Sequence, residues 1–112
     1  QRKLGLTTDK RMALLKGLVK QLLEHEALET TETRAKEVRV IFEKMITTAR
    51  ANTLHSRRET RKLLNDETLV KRLHDVVAPR YLNRPGGYTR MVRVGMRRGD
   101  AAPIVKLELV AE

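Results

Sequence analysis

An α+β fold, a compact body of about four helices with a small, mainly antiparallel sheet, is predicted by three observations. Over roughly the first two thirds of the chain, apolar residues recur at three- and four-residue spacing, the period of a helix. Near 27–31, 88–94 and 104–110, apolar and polar residues alternate, the period of a strand. No repeat, low-complexity tract or linker divides the sequence, and 112 residues suffice for one small domain and not for two cores.

The elements follow in order. Residues 1–6 are short, basic and aperiodic, and read as an N-terminal arm ahead of a single domain over 7–112. Thr7, Thr8 and Asp9 supply caps for a first helix from about Lys10 to Glu24. Its stripe is Met12, Leu15, Val19, Leu22 and Leu23, widened by Leu14 and Leu18. Gly17 inside that helix costs about 1 kcal/mol against alanine, which leaves two readings, close packing or simple tolerance. Ala27 to Thr31 alternates like a short strand. Thr31 or Thr33 then caps a second helix carrying Ala35, Val38, Phe42, Met45 and Ala49, flanked by Ile41 and Ile46. Asn52 or Thr53 caps a third, with Leu54, Leu63 and Leu64 as its apolar side. A fourth runs from Leu69 to Val77 behind an Asn65-Asp66-Glu67-Thr68 turn, and Pro79 stops it. Tyr88 to Val94 and Ile104 to Val110 pair as an antiparallel hairpin. Val105, Leu107 and Leu109 face inward, Lys106 and Glu108 outward, and Gly95 to Pro103 forms an arginine-rich tip.

Composition narrows the class of partner. Hydrophobic residues make up 40% of the chain and aromatic residues only 3%, with Phe42 the single phenylalanine and no tryptophan, so the core must be aliphatic. Lysine and arginine number 24 against 14 acids, a formal charge of +10, and the isoelectric point near 10.5 falls where nucleic-acid binders fall. Anionic lipid and mere solubility are the lesser alternatives. There are no cysteines, so disulfides and thiolate-ligated metals are excluded, which fits a reducing compartment. No apolar run approaches the ~18 residues of a membrane span, and the N-terminus has no signal-peptide apolar region. The chain opens on Gln1 instead of Met, consistent with the loss of an initiator or a short leader.

The positive charge is concentrated. Arg80 to Asp100 holds Arg80, Arg84, Arg90, Arg93, Arg97 and Arg98, both tyrosines (Tyr81 and Tyr88), and no acid before Asp100. A turn-rich cationic segment with planar side chains suits a polyanion held by its backbone and by stacking. Tyr88 and Tyr81 are candidate stackers or core residues. Arg2 and Lys3 of the arm make a second patch, and Lys10 and Arg11 at the start of the first helix are further candidate contacts. Arg57, Arg58 and Arg61 make a third, on one face of the third helix. No acidic partner for that cluster is evident, and like charges so placed cost stability unless an anion screens them.

No catalytic constellation is visible, and the chain reads as neither an enzyme nor a small-molecule or cofactor binder. His25, His55 and His74 lie far apart without metal-ligand spacing, and each reads as a surface or helix-end residue. Ser56, the only serine, lies in the basic helix, and Gly86-Gly87 has no phosphate-cradling lysine behind it. A peptide-binding role needs a surplus apolar stripe, and none is visible. The alternative within nucleic-acid binding is a helical DNA-binding or nucleoid-type module, with the third and fourth helices as a helix-turn-helix pair.

The wording of the chain narrows this further. Ala78-Pro79-Arg80-Tyr81, then Gly86-Gly87-Tyr88-Thr89-Arg90, then Arg97-Arg98-Gly99-Asp100-Ala101-Ala102-Pro103 closely resemble the C-terminal signature of the bacterial ribosomal large-subunit protein seventeen family. Arg2-Lys3-Leu4-Gly5, Ala13-Leu14-Leu15, Glu29-Thr30-Thr31, Ala35-Lys36-Glu37, Glu43 to Thr47, Leu54 to Arg58 and Glu108-Leu109-Val110 continue the resemblance in order over essentially the whole chain. Leu6, where the family's arm is usually basic, and Lys16-Gly17, in place of Arg-Asn, depart from it. The resemblance implies a structural protein of the large ribosomal subunit in the bacterial cytoplasm. It also implies binding to ribosomal RNA and a position among neighbouring ribosomal proteins near the rim of the nascent-chain exit tunnel, with no membrane partner.

Overall fold

The computed structural model describes residues 8–111. The predicted arm with Arg2 and Lys3, and the cap candidate Thr7, lie outside them. The elements run α1 (Thr8–His25), β1 (Ala27–Thr31), α2 (Glu32–Arg50), α3 (Leu54–Leu64), α4 (Glu67–Arg72), β2 (Thr89–Met96) and β3 (Pro103–Leu109). All three strands are antiparallel in the order β1-β3-β2, so the C-terminal strand is central and the predicted hairpin gains β1 on its other side. This is the α+β architecture the periodicities predict.

Short-range chemistry sets most boundaries. Thr31, not Thr33, caps α2 by accepting from the Arg34 N–H at 3.4 Å. Thr53 caps α3 in a reciprocal box: its hydroxyl accepts from Ser56 N–H at 3.0 Å, and the Ser56 hydroxyl accepts from Thr53 N–H at 2.8 Å. Asn65, left-handed at φ 49, closes α3, and the Asp66 carboxylate accepts from Leu69 N–H at 3.2 Å to start α4.

Two local expectations are corrected. The fourth helix keeps α geometry only to Arg72. It then widens into a π turn over Leu73–Val77 and tightens into a 3-10 turn over Ala78–Tyr81, with Pro79 inside that turn instead of ending the helix. Ala78 N–H reaches back five residues to the Leu73 carbonyl, and Pro79 has no N–H to continue the ladder. The widened turn places Leu73, His74, Val77 and Ala78 in the core. Gly17 is exposed, and a Cβ added there would meet no atom within 4 Å, so tolerance and not close packing explains it. Leu54, expected on the apolar side of α3, is 67% exposed, whereas Leu64 is fully buried.

Helix α2 is the central beam. Val38, Phe42, Met45, Ile46 and Ala49 are buried along it, against Leu15, Val19, Leu22 and Leu23 of α1 and Leu107 of β3. Tyr81 and Tyr88 stack obliquely with centroids 5.2 Å apart and seal the sheet end of this core. Met91 packs on the core side of β2, and Val92 and Val94 are exposed.

Candidate nucleic-acid interface

The hairpin tip is built by its own backbone. Arg97 N–H donates to the Ala102 carbonyl at 2.8 Å, and Ala101 N–H to the Arg97 carbonyl at 3.0 Å. Gly99 at φ 91 and Ala101 at φ 56 make the reversal; glycine adopts such a conformation without penalty and alanine does not. Asp100 closes the turn, accepting from Arg97 Nε at 3.2 Å and from Ala102 N–H at 3.1 Å. These bonds, the Arg97 guanidinium first, pull its carboxyl down to about 2. Arg98 extends from this turn exposed, and no hydrogen bond or ion pair holds it among the described residues.

Farther down the hairpin, Arg90 pairs with Glu108, and Arg93 with Glu32 of α2 at 2.8 Å. Both arginines are more than 60% exposed in these pairs, so solvent screens each link and a stronger anion can replace the carboxylate. The Arg90 guanidinium, ahead of the Lys106 charge, holds the Glu108 carboxyl below its usual range.

The loop between the 3-10 turn and β2 is fastened from below by Arg50, whose role sequence reasoning did not single out. Its Nη1 donates to the Tyr88 hydroxyl at 2.8 Å and its Nη2 to the Leu82 carbonyl at 3.1 Å. No local spacing announces this contact, because the partners lie more than 30 residues away. The loop thus held presents Arg84, which is exposed and whose side chain, among the described residues, hydrogen-bonds the Ala111 carbonyl at 3.3 Å.

The α3 cluster is divided. Arg57 donates to Asp75 at 3.0 Å and to the Asn52 side chain at 3.1 Å, and Arg61 pairs with Glu67. The expectation of a cluster without acidic partners is therefore corrected, because α4 and its π turn bring two carboxylates to it. Arg58 alone of the three has none among the described residues, and it lines a shallow concavity with His55, Glu59 and Lys62.

Four predicted contact residues serve the protein's interior. Tyr88 is fully buried, with its hydroxyl held by Arg50 and Thr47, so no ring face is free to stack; Tyr81 is likewise buried and donates to the Val110 carbonyl at 2.7 Å. Arg80 donates to Glu26 through both terminal nitrogens at 2.7 Å, and Arg72 adds a third bond at 2.6 Å. The Arg80 hydrogen bonds hold the Glu26 carboxyl below its usual value, against the opposing effect of partial burial. Arg11 is 4% exposed and bridges α1 to α2 through Glu37 at 2.6 Å. Lys10 stands exposed in the first turn of α1.

His74 is not the surface residue its spacing indicates. It is 2% exposed, with Nε2 2.8 Å from the Thr60 hydroxyl, and burial, followed by the nearby Arg57 charge, lowers its affinity for a proton. Among the described residues no cluster of histidine, aspartate and glutamate could hold a metal ion. Nor, among them, is any helix long and apolar enough to cross a membrane. Helices α3 and α4 make a poor DNA-reading pair, because Leu69, Val70, Leu73, His74 and Val77 of the fourth helical segment are buried and its Arg72 is tied to Glu26.

Fold and surface together define a small basic α+β protein in which internal arginines are anchored on carboxylates while cationic projections remain on the loops, the hairpin tip and α3. Within that class the chain belongs to the ribosomal protein L17 family, whose model matches residues 14–110. That is a family of ribosomal proteins and not of enzymes. The chain is similar to the large ribosomal subunit protein bL17 of Clostridium beijerinckii, 57% identical over 109 residues that cover 97% of this chain and 96% of the relative. The proteins of the same name from Desulforudis audaxviator and Clostridium botulinum are 56% and 55% identical over 109 residues, covering 97% of this chain in each case and 97% and 96% of those relatives.

Proposed function

We propose that this protein is a structural constituent of the large ribosomal subunit in the bacterial cytoplasm, held there by ribosomal RNA and supporting subunit assembly and translation. Membership of the family and the names of its relatives support the first part. The observation that carries RNA contact is the separation of arginines into two sets. Arg11 and Arg80 are tied into the interior, whereas Arg58, Arg84 and Arg98 project from three different places with no carboxylate among the described residues to hold them.

Arg98 and Arg84 on the loops and Arg58 on α3 engage phosphates directly. Arg57, Arg61, Arg90, Arg93 and Arg97 exchange their carboxylates for phosphates, and Lys10 with Arg2 and Lys3 of the arm completes the surface. Folded RNA presents curved arrays of phosphates that such loops fit without a helix in a groove. By resemblance, the neighbours are other large-subunit proteins near the exit-tunnel rim.

Titrating affinity for large-subunit ribosomal RNA against salt tests the reading. If about six to eight phosphates are engaged, log affinity falls with log salt at a slope of about −4 to −7. A nearly flat dependence refutes RNA contact, and a chain that does not co-sediment with large subunits refutes the structural role.

A further inference from the structure

A concavity of about 470 Å3 opens between the outer face of α2 and the loop leading into β2, with Glu43, Lys44, Thr47 and Thr48 on one side and Pro85 and Gly86 on the other. That volume lies within the ~300–1,000 Å3 of small-ligand sites. Its two sides are tied together beneath it. The Tyr88 hydroxyl meets Thr47 at 3.1 Å and accepts from Arg50 at 2.8 Å, and Arg50 also donates to the Leu82 carbonyl.

The fold leaves polar capacity unused here. Lys36 and Arg39 of α2 lie on Glu32 and Glu43, whereas Lys44 is exposed and no carboxylate or hydrogen bond holds it among the described residues. Glu43 is engaged through one oxygen. Thr89 N–H at 3.2 Å, the Thr89 hydroxyl at 2.7 Å and Arg39 at 3.6 Å all reach Oε2, and Oε1 accepts nothing among the described residues. The Thr48 hydroxyl is likewise unused among them. Gly86 adds space: its φ is not positive, and a Cβ placed on it would meet no atom within 4 Å. Neither turn geometry nor packing requires glycine there, although glycine costs backbone entropy. An open glycine alone signals tolerance, as at Gly17, but this one lies in a concavity beside an unpaired cation and a half-used carboxylate.

These groups make opposite demands on an occupant, an anion for Lys44 and N–H donors for Glu43. An acidic peptide is repelled by Glu43 and a basic one by Lys44. A single unstacked nucleotide carries both, in its phosphate and in the N–H groups of its base edge. An ionised carboxylate only accepts, and guanine alone sets two donors side by side on its base-pairing edge, N1–H and the N2 amino group. Adenine, cytosine and uracil each set an acceptor next to the donor.

We propose that this concavity holds one unpaired guanosine of the large-subunit ribosomal RNA. The base lies over Pro85 and Gly86 with its edge toward Glu43 Oε1, the phosphate meets Lys44, and the Thr48 hydroxyl meets the ribose. This rests on the RNA reading above and adds a base contact to its phosphate contacts, at residues that reading does not use.

The test probes large subunits carrying the full chain with a glyoxal reagent, which adds across N1 and N2 of unpaired guanines. One guanine should be shielded by the unaltered chain and exposed by Glu43→Gln, which turns Oε1 into a donor while the other oxygen still serves Thr89. Its reactivity should rise about tenfold, the factor set by about 1.4 kcal/mol for one hydrogen bond. The proposal is overturned if no guanine differs between the two, or if an adenine or cytosine changes instead under dimethyl sulfate. If Glu43→Gln does not enter subunits, the same comparison with Gly86→Ala, whose methyl meets no atom of the fold, decides.

Lys44→Ala should reduce the salt slope of ribosomal RNA binding by about 0.7–0.9, the share of one phosphate, and an unchanged slope overturns the phosphate contact. Lys44→p-benzoylphenylalanine, irradiated in subunits, should cross-link to RNA; an adduct to protein, or none, overturns the RNA occupant. In each of these failures the salt dependence carried by the arginines stands, and the RNA reading with it. A flat dependence overturns both.

Discussion

Replacing Glu26 by alanine removes the carboxylate on which the junction between α1 and β1 is fastened to the segment after α4. Three bonds of 2.6–2.7 Å converge on it from Arg72 and Arg80. The three side chains are 29–32% exposed, between the surface limit of about 1 kcal/mol and the 3–5 kcal/mol of a broken buried pair. About 2 kcal/mol is therefore expected. With an unfolding entropy of about 2.1 cal/mol/K per residue, that lowers the melting temperature by about 8 °C. Glu26 also sits at φ 64, a left-handed conformation that alanine tolerates no better. Glu26→Gly should therefore be about 1 kcal/mol less damaging than Glu26→Ala, since glycine relieves the strain while losing the same bonds. Because the native carboxyl is held below its usual value, its contribution is complete above pH ~4.5 and is lost as pH falls through the lowered value. Thermal and urea unfolding followed by circular dichroism measure all three effects. A loss below about 0.5 kcal/mol for Glu26→Ala at neutral pH, a value typical of an unremarkable surface change, would refute the reasoning.

Four further outcomes are expected. His74 binds a proton less readily in the fold than in the open chain, so stability should fall as pH drops below ~6.5, and His74→Gln should flatten that part of the profile; an unaltered profile would assign the slope to other groups. Tyr88→Phe removes the hydroxyl that accepts from Arg50 and breaks its bond with the Thr47 hydroxyl, and should cost about 1–2 kcal/mol in urea unfolding, with RNA affinity following stability and not stacking. Gly17→Ala meets open space on a helix and should raise stability by about 1 kcal/mol; if it also weakens incorporation into subunits, a partner approaches that backbone. Arg97→Ala with Arg98→Ala should weaken RNA binding and reduce the salt slope while leaving the far-ultraviolet spectrum unchanged, and a collapsed spectrum would make these arginines structural.

Legibility follows distance along the chain. Thr53 as a cap, the turn at Asn65-Asp66 and the alternation of Val105 and Leu107 rest on residues at most four apart, and each shows in the local pattern. The end of the fourth helix does not, because Pro79 stops an α ladder, yet the chain meets that constraint by widening one turn earlier. His74 reads as a surface residue for the same reason: its burial depends on that widening and on Thr60 of the preceding helix.

The basic patches show where sequence and structure divide. Composition, the run from Arg80 to Asp100 and the family wording determine by themselves that this is a cationic ribosomal-type protein of mixed architecture, because charge, period and motif are properties of neighbours in the chain. Which arginines remain available is decided only by the tertiary structure. Glu26 meets Arg80 54 residues away, Glu37 meets Arg11 across 26, and Asp75 meets Arg57 across 18. An ion pair depends on a separation of a few ångströms in space, which only the packing of helices on the sheet can set.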